Sequence, residues 1–329
     1  MNTVTLGLSG LKVSPIAFGT WQLGGDWGEF DPSEAIDAIR FAREQGINFF
    51  DTAQAYGFGA SERLLGSALR DELRSPRREE LVIATKGGLR IDNDRGLVRD
   101  SSRKWLRAGV EQSLEALGTD YIDLYQVHWP DSDTPFAETA AALGELVHEG
   151  KIRHVGVSNF GPEQISEFAT TLPVETVQPP YSMFRREIEA DLLPYAREHN
   201  IGVLVYGALA HGLLTGAIKR DAALAQDDWR SASPMFAGDT FDHYLDLVDE
   251  LSRFAEERGF SVSRLALAWA LRHPAVQVAI VGSRSRRHIE DSIGALDVRL
   301  SDEDMSEIER ILSGANTLAF VGPSPEAMP

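Results

Sequence analysis

Four residues whose types can together move a proton stand at or just beyond the ends of short apolar runs. Asp51 closes Phe49-Phe50-Asp51, Lys86 closes a run from Leu81, His128 closes a run from Ile122, and Tyr56 follows in the segment after Asp51. A phenol with a pKa near 10 is a poor proton donor at neutral pH unless something stabilises its phenolate. A nearby ammonium does this and lowers the phenol's pKa, and Lys86 is the available ammonium. A lysine at a buried strand end needs a counter-charge, which Asp51 can supply. His128 can hydrogen-bond a carbonyl oxygen and hold it next to the phenol. The set predicts a proton-donating, oxyanion-stabilising pocket for a carbonyl being reduced, with no metal required.

Taken singly, each residue has a plainer use. Asp51 could cap the following loop, Tyr56 and His128 could be satisfied structural side chains, and Lys86 could be a strand-end surface charge. Lysine is scarce, at five of 32 basic residues, so Lys86 asks for a reason more than an arginine would. The joint arrangement of the four favours chemistry, because they finish or follow different strands.

The elements that must position them read as an alternation. Candidate strands are 16–19, 48–51, 81–86, 122–128, 154–158, 176–178, 202–206 and 278–281, short and mostly rich in Val, Ile, Leu or aromatics, as buried parallel strands are. Helical signals separate them. Asp31-Pro32-Ser33-Glu34 offers a cap, a proline at the first helical position and an acid three residues after the cap. Tyr244, Val248, Leu251 and Ala255 recur at helical spacing behind Phe241. Eight βα alternations without a composition break predict a (β/α)8 barrel filling one domain over residues 1–329. A doubly wound sheet can be written with similar elements. Outside the repeat, Val4–Leu8 and Leu11–Val13 form a hairpin around Ser9-Gly10 that caps one barrel end. A long loop over about 207–240 follows strand seven and has the composition of a lid or mobile loop. Ser301 caps a C-terminal helix, with Asp304 three residues on and Leu300 against Met305, and a Gly/Pro-containing tail follows it.

Composition narrows the class. The chain has 329 residues, 43% hydrophobic and 25% charged, which is ordinary globular material. Its formal charge of −18 argues against a nucleic-acid partner, which would need a concentrated basic face. The absence of cysteine removes disulfides, thiolate catalysis and cysteine zinc sites. No run approaches the roughly 18 apolar residues of a membrane span, and residues 1–15 lack a signal-peptide core, so a cytoplasmic protein is expected.

The motifs Phe49-Phe50-Asp51-Thr52-Ala53-Gln54-Ala55-Tyr56-Gly57, Ala84-Thr85-Lys86, Gln126-Val127-His128, Val155-Gly156-Val157-Ser158-Asn159-Phe160 and Gln178-Pro179-Pro180-Tyr181 occur in this order. Over nearly the whole chain they resemble the aldo-keto reductase family, with the closest likeness to its bacterial stress-protein-like branch. That resemblance implies a (β/α)8 fold, a nicotinamide dinucleotide bound extended without a Rossmann domain, and hydride transfer to an aldehyde or ketone. It places Asp51, Tyr56, Lys86 and His128 at the family's catalytic positions, with Tyr56 as general acid. It places Ser158, Asn159 and Gln178 on the nicotinamide carboxamide and Tyr206 stacked on the ring, although an aromatic there could simply pack. Gly207, Leu209, Gly212 and Leu213 fall where the family's loop passes the pyrophosphate. Gly282-Ser283-Arg284-Ser285-Arg286-Arg287-His288 matches the adenine-side segment, with Gly282 leading it, Ser283 and Arg284 on a 2′-phosphate, and His288 on adenine or ribose. NADP(H) is therefore favoured, with NAD(H) accepted. The chain departs from the family pattern at Val281, where proline is common, and at Asp291-Ser292, which replaces Glu-Asn; both fall on the adenine side.

Trp21 and Trp129, with Trp27, are expected to line a substrate pocket or its rim, or else to pack. Three patterns mislead. Gly57-Phe58-Gly59 lacks the third glycine of a dinucleotide fingerprint. Gly156 to Gly161 has P-loop spacing but Pro162-Glu163 where Lys-Ser/Thr belongs. His128-Trp129-Pro130-Asp131-Ser132-Asp133 reads as a loop rather than a metal site. The expected function is NADPH-dependent reduction of small aldehydes or ketones. A cofactor-binding sensor on the same barrel, like the potassium-channel β-subunits, is the alternative, and a phosphate-binding barrel isomerase or aldolase is a third. The partner is a small-molecule carbonyl compound, with no nucleic acid and no membrane; the sequence leaves oligomeric state open, and a monomer fits it.

Overall fold

A computed structural model describes residues 1–313 except 26, 93, 95, 222, 223, 226 and 227. Strands β1 (Val4–Leu6) and β2 (Leu11–Val13) pair antiparallel through a short turn over Gly7–Ser9. Then come β3 (Ile16–Gly19), α1 (Pro32–Glu44), β4 (Phe49–Asp51), α2 (Ala60–Ala68) with its short continuation α3 (Arg70–Leu73), and β5 (Val82–Gly87). An antiparallel pair, β6 (Leu89–Asp92) and β7 (Gly96–Arg99), leads into α4 (Arg103–Leu117). The alternation resumes with β8 (Ile122–Val127), α5 (Phe136–His148), β9 (Ile152–Ser158), α6 (Pro162–Ala169), β10 (Thr176–Gln178), α7 (Leu192–Glu198) and β11 (Gly202–Val205). It ends with α8 (Gly238–Glu256), α9 (Val262–Arg272), β12 (Val276–Gly282), α10 (Arg286–Gly294) and α11 (Asp302–Leu312).

The strands β3, β4, β5, β8, β9, β10, β11 and β12 pair in that order, all parallel, and β12 closes on β3. This is the (β/α)8 barrel, and closure excludes the doubly wound alternative. Each of the eight expected strands is present, with ends displaced by at most two residues. The pair β6–β7 was not expected. Its segments lie outside the barrel ring, with Leu89 buried and Ile91 exposed, and Arg90 bonds Asp92 and Asp100 at 3.0 and 2.8 Å. Each segment is only four residues long, too short a stretch for its alternation to stand out.

Period-two alternation separates the barrel interior from its outer face. Ala17, Phe49, Val82, Ala84, Leu124, Leu204, Val278 and Ile280 form one buried cluster inside the barrel, closed below by Leu6 and Val13 of the hairpin. The hairpin seats tightly: a Cβ on Gly7, at φ +50°, would lie 2.0 Å from the Gly202 nitrogen. Two residues beyond Phe49, Ala84 and Leu124 on the same faces come Asp51, Lys86 and Gln126. The interior thus turns from apolar to polar towards the C-terminal ends of the strands, the face on which barrel active sites form.

Helix starts follow the sequence signals. Asp31 accepts from the Ser33 N–H at 2.8 Å and Pro32 opens α1. Ser301 and Asp304 form the reciprocal cap of α11. Tyr244, Val248, Leu251 and Ala255 are buried along α8. The loop after β11 carries short helical turns at Ala210–Thr215, Trp229–Ala232 and Pro234–Phe236 before α8 begins. The tail after Ser313 lies outside the described residues. Among those residues, no helix is long and apolar enough to cross a membrane.

Candidate active site

At the polar end of the barrel, the Lys86 ammonium donates to Asp51 Oδ1 at 2.6 Å and to the Thr52 carbonyl at 2.9 Å. The Tyr56 hydroxyl lies 3.5 Å from the same nitrogen. The Lys86 side chain has no exposed surface, so its charge is compensated within the protein rather than by water. The rings of Tyr56 and His128 meet edge to face at 5.8 Å. Register explains the grouping. Asp51 pairs with Ala84, so Lys86, two residues on, points into the barrel one layer higher and its ammonium reaches back to the carboxylate.

Electrostatics differ from expectation at one point. Lys86 was expected to lower the Tyr56 pKa, yet burial and then the Asp51 charge push the phenol well up. The physical reason is that the phenolate would be desolvated and would face the Asp51 carboxylate, which holds the Lys86 ammonium at 2.6 Å. Burial lowers the pKa of Lys86 itself, opposed by Asp51 and by Glu62. His128 is pushed well below its ordinary value by burial and then by Lys86, so its imidazole is neutral. A protonated phenol, a neutral imidazole and an ammonium within hydrogen-bond reach of the phenol can deliver a proton and stabilise the anion left behind.

A row of amides extends the site. Gln178 donates to Asp51 Oδ2 at 2.9 Å, and Gln126 approaches the same oxygen at 3.5 Å. Ser158 donates to the Gln178 carbonyl at 2.9 Å. Asn159, at φ +62°, donates to the His128 carbonyl at 3.0 Å and accepts from the Tyr206 hydroxyl at 2.9 Å. The left-handed backbone turns Asn159 back across the barrel end, and its bond to Tyr206 fixes the attitude of that ring.

All of this opens into one cavity of about 450 Å³, which runs from Asp51, Tyr56 and His128 past Tyr206 to Ser283, Arg284 and His288. Two loops roof it. Trp27 bridges to Asp228, Trp229 stacks on Trp21 at 5.6 Å, and Arg230 pairs with Asp228 at 2.6 Å while donating to the His211 carbonyl at 3.1 Å. The floor bends through positive φ at Gly207, Ala210, His211 and Gly212. These residues turn the chain tightly on itself, the Ala210 and Gly212 N–H groups donating to the Gly207 and Leu209 carbonyls at 2.8 and 3.0 Å. At Gly282, a Cβ would fall 1.9 Å from the Gln22 amide, so the chain passes that point without a side chain. An elongated cavity with a cation and hydroxyls at one end and a proton donor at the other fits a dinucleotide.

Most expected site residues line this cavity, including Trp21, Trp129, Gly207, Leu209, Gly212 and Gly282. Lys86 lies beneath the lining, in contact with it through Tyr56. Leu213 does not reach it: its side chain is wholly buried in the hydrophobic core, because the tight turn over Ala210–Thr215 points it inwards. The rest of the arginine cluster is partly committed. Arg284 donates to the carbonyls of Trp27 and Glu29 at 3.3 Å each, and Arg286 pairs with Asp37 at 2.5 Å. Asp291, one of the departures from the family pattern, is spent on Ser261, Ser263 and Arg264. The loop after His128 is held by Asp131, which accepts from the Ser101 and Asp133 N–H groups at 2.8 and 2.9 Å. Sequence reasoning missed Gln22, Glu34, His211 and Arg230 as lining residues. Only Glu34 carried a signal, as an acid beside a helix cap at the barrel mouth.

Fold and site define a (β/α)8 barrel with an acid–base cluster and an elongated cavity on the C-terminal face of the strands. The sequence model of the aldo/keto reductase family matches residues 15–313, and the chain belongs to that family. It is 41% identical to the Aldo-keto reductase YhdN of Bacillus subtilis (strain 168) across 100% of this chain and 98% of that one. It is 35% identical to the NADH-specific methylglyoxal reductase of Escherichia coli (strain K12), over 92% and 96% of the two chains. The solved structure of the glycerol dehydrogenase AKR11B4 from Gluconobacter oxydans superposes with a TM-score of 0.86 at 40% identity, covering 98% of each chain. The protein is an NAD(P)H-dependent oxidoreductase acting on carbonyl groups.

Proposed function

We propose that this enzyme reduces the carbonyl of small aldehydes or ketones, with NADPH favoured and NADH accepted, and with Tyr56 as the proton donor. The observation that carries the reading is the Lys86 ammonium, held by Asp51 at 2.6 Å and 3.5 Å from the Tyr56 hydroxyl at the floor of the cavity. A reduced nicotinamide, when bound, supplies the hydride. Ser158, Asn159 and Gln178 would hold its carboxamide, and Tyr206 would lie against the ring. The turn at Gly207, Leu209 and Gly212, which lines the cavity, would pass the pyrophosphate, and Ser283, Arg284 and His288 would meet the adenosine end.

The chain's own work is proton handling. Neutral His128 hydrogen-bonds the substrate carbonyl and orients it towards the phenol. Tyr56, protonated across the neutral range as any phenol is, gives its proton to the carbonyl oxygen as negative charge develops there. Lys86 stabilises the phenolate that remains, and Asp51 holds Lys86 in place and in charge. Trp21, Trp27 and Trp129 give the substrate an apolar wall.

Tyr56→Phe tests this reading. Turnover over a panel of small aldehydes and ketones should fall by about 10²–10⁴-fold, the contribution of a general acid, while dinucleotide affinity stays within about twofold. Unchanged turnover removes Tyr56 from the role. Stoichiometric dinucleotide binding by the native chain, with no turnover on any member of the panel, would support the sensor alternative.

A further inference from the structure

Helices α1 and α10 lie side by side, both starting at the cavity mouth because each follows a barrel strand. They are joined where Asp37 meets Arg286, the first residue of α10, through bonds of 2.5 and 2.6 Å. Glu34 stands three residues before Asp37, on the same face of α1 and about 4.5 Å nearer the mouth. That offset brings it level with the turn that precedes α10. Glu34 accordingly lines the same cavity as Ser283, Arg284, Ser285 and His288. Among the described residues, no hydrogen bond or ion pair engages its carboxylate. A place in the first turn of a helix explains an acid there, but not its place in the cavity wall.

We propose that Glu34 is a specificity-determining residue for the dinucleotide, one that opposes a 2′-phosphate and favours a free ribose 2′-hydroxyl. A carboxylate accepts a hydrogen bond from that hydroxyl and repels a phosphate in its place, whereas an arginine does the reverse. Asp37 neutralises Arg286, so the attraction for a 2′-phosphate rests on Arg284, which lines the cavity, and is opposed by Glu34. The balance narrows the preference for NADPH and admits NADH. This rests on the reading that Ser283 to His288 receive the adenosine end.

The test is Glu34→Gln in the full chain, at an exposed helix position where folding is not at risk. Dissociation constants for NADPH and NADH come from quenching of tryptophan fluorescence. Calorimetry with 2′,5′-ADP and 5′-AMP, which differ only in the 2′-phosphate, reads the same site without the nicotinamide. At low ionic strength NADPH and 2′,5′-ADP should bind about threefold to tenfold more tightly, the scale of one exposed charge. NADH and 5′-AMP should bind no better than before, and the difference should shrink as salt is raised. Equal shifts for both members of each pair, or no shift, overturn the role of Glu34 while leaving the proposed function standing. Failure of the native chain to bind either dinucleotide overturns both.

Discussion

Arg284 shows how one side chain can serve two ends. Its guanidinium ties the loop after β3 to the segment before α10 through the carbonyls of Trp27 and Glu29, and it faces the cavity where a 2′-phosphate is proposed to sit. Arg284→Ala should therefore weaken NADPH by about 10–100-fold, the range of a hydrogen bond to a charged group. NADH should weaken only a few-fold, through loss of the loop tether. Titrating both dinucleotides separates the terms, and equal losses would leave the tether alone. His128, Lys86 and Asp51 were legible in the sequence because each ends an apolar run. The direction of the Tyr56 shift was not legible. It depends on burial and on the nearness of the Asp51 carboxylate, which are matters of distance in three dimensions.

At the scale of elements, close approach decides what helix propensity alone would misjudge. Gly66 sits inside α2, where alanine would gain about 1 kcal/mol of helix propensity. A Cβ there would stand 2.3 Å from the Leu117 carbonyl at the end of α4. Backbone cannot step aside as a flexible side chain can, so overpacking outweighs propensity. Gly66→Ala should lower stability by about 1–3 kcal/mol, read as a lower urea midpoint with an unchanged slope; a raised midpoint would show that α2 can shift. The same scale explains the missed hairpin β6–β7. Four-residue strands outside the repeat carry too little pattern to stand out, even where, as in Leu89-Arg90-Ile91-Asp92, apolar and polar residues alternate. The lid after β11 was recognisable from its length, but its contacts were not. Trp229 meets Trp21, and Asp228 meets Trp27, across some 200 residues of chain.

The whole molecule responds to acid through histidines that folding keeps neutral. His211 is buried beside Arg185 and Arg230, and burial is the larger cause that lowers its pKa to about 3; His128 is lowered too. The unfolded chain takes up protons at these positions near pH 6.5, while the folded chain refuses them until much lower pH. Between those limits the unfolded state binds more protons, so stability falls as pH falls. Each histidine should contribute a loss of about 1.4 kcal/mol per pH unit below 6.5. His211→Asn keeps a side chain that tolerates the positive φ of that residue. The variant should lose correspondingly less stability than the native chain between pH 7 and 5.5 in denaturant titrations. An unaltered pH dependence would mean that His211 takes up its proton as readily in the fold as in the unfolded chain.

Alternation, strand count, helix caps and the order of polar residues at strand ends are local properties, carried by side-chain type and by the periods of strand and helix. The sequence by itself therefore determined eight strands alternating with helices and the identity of the polar residues at the strand ends. Closure of β12 on β3, the pairing that spends Lys86 on Asp51, the inward turn of Leu213 and the arrival of Glu34 at the cavity wall were decided only in the tertiary structure. Each depends on register between segments far apart in the chain, and a distance between such segments is set by how the whole barrel packs rather than by any stretch of residues within it.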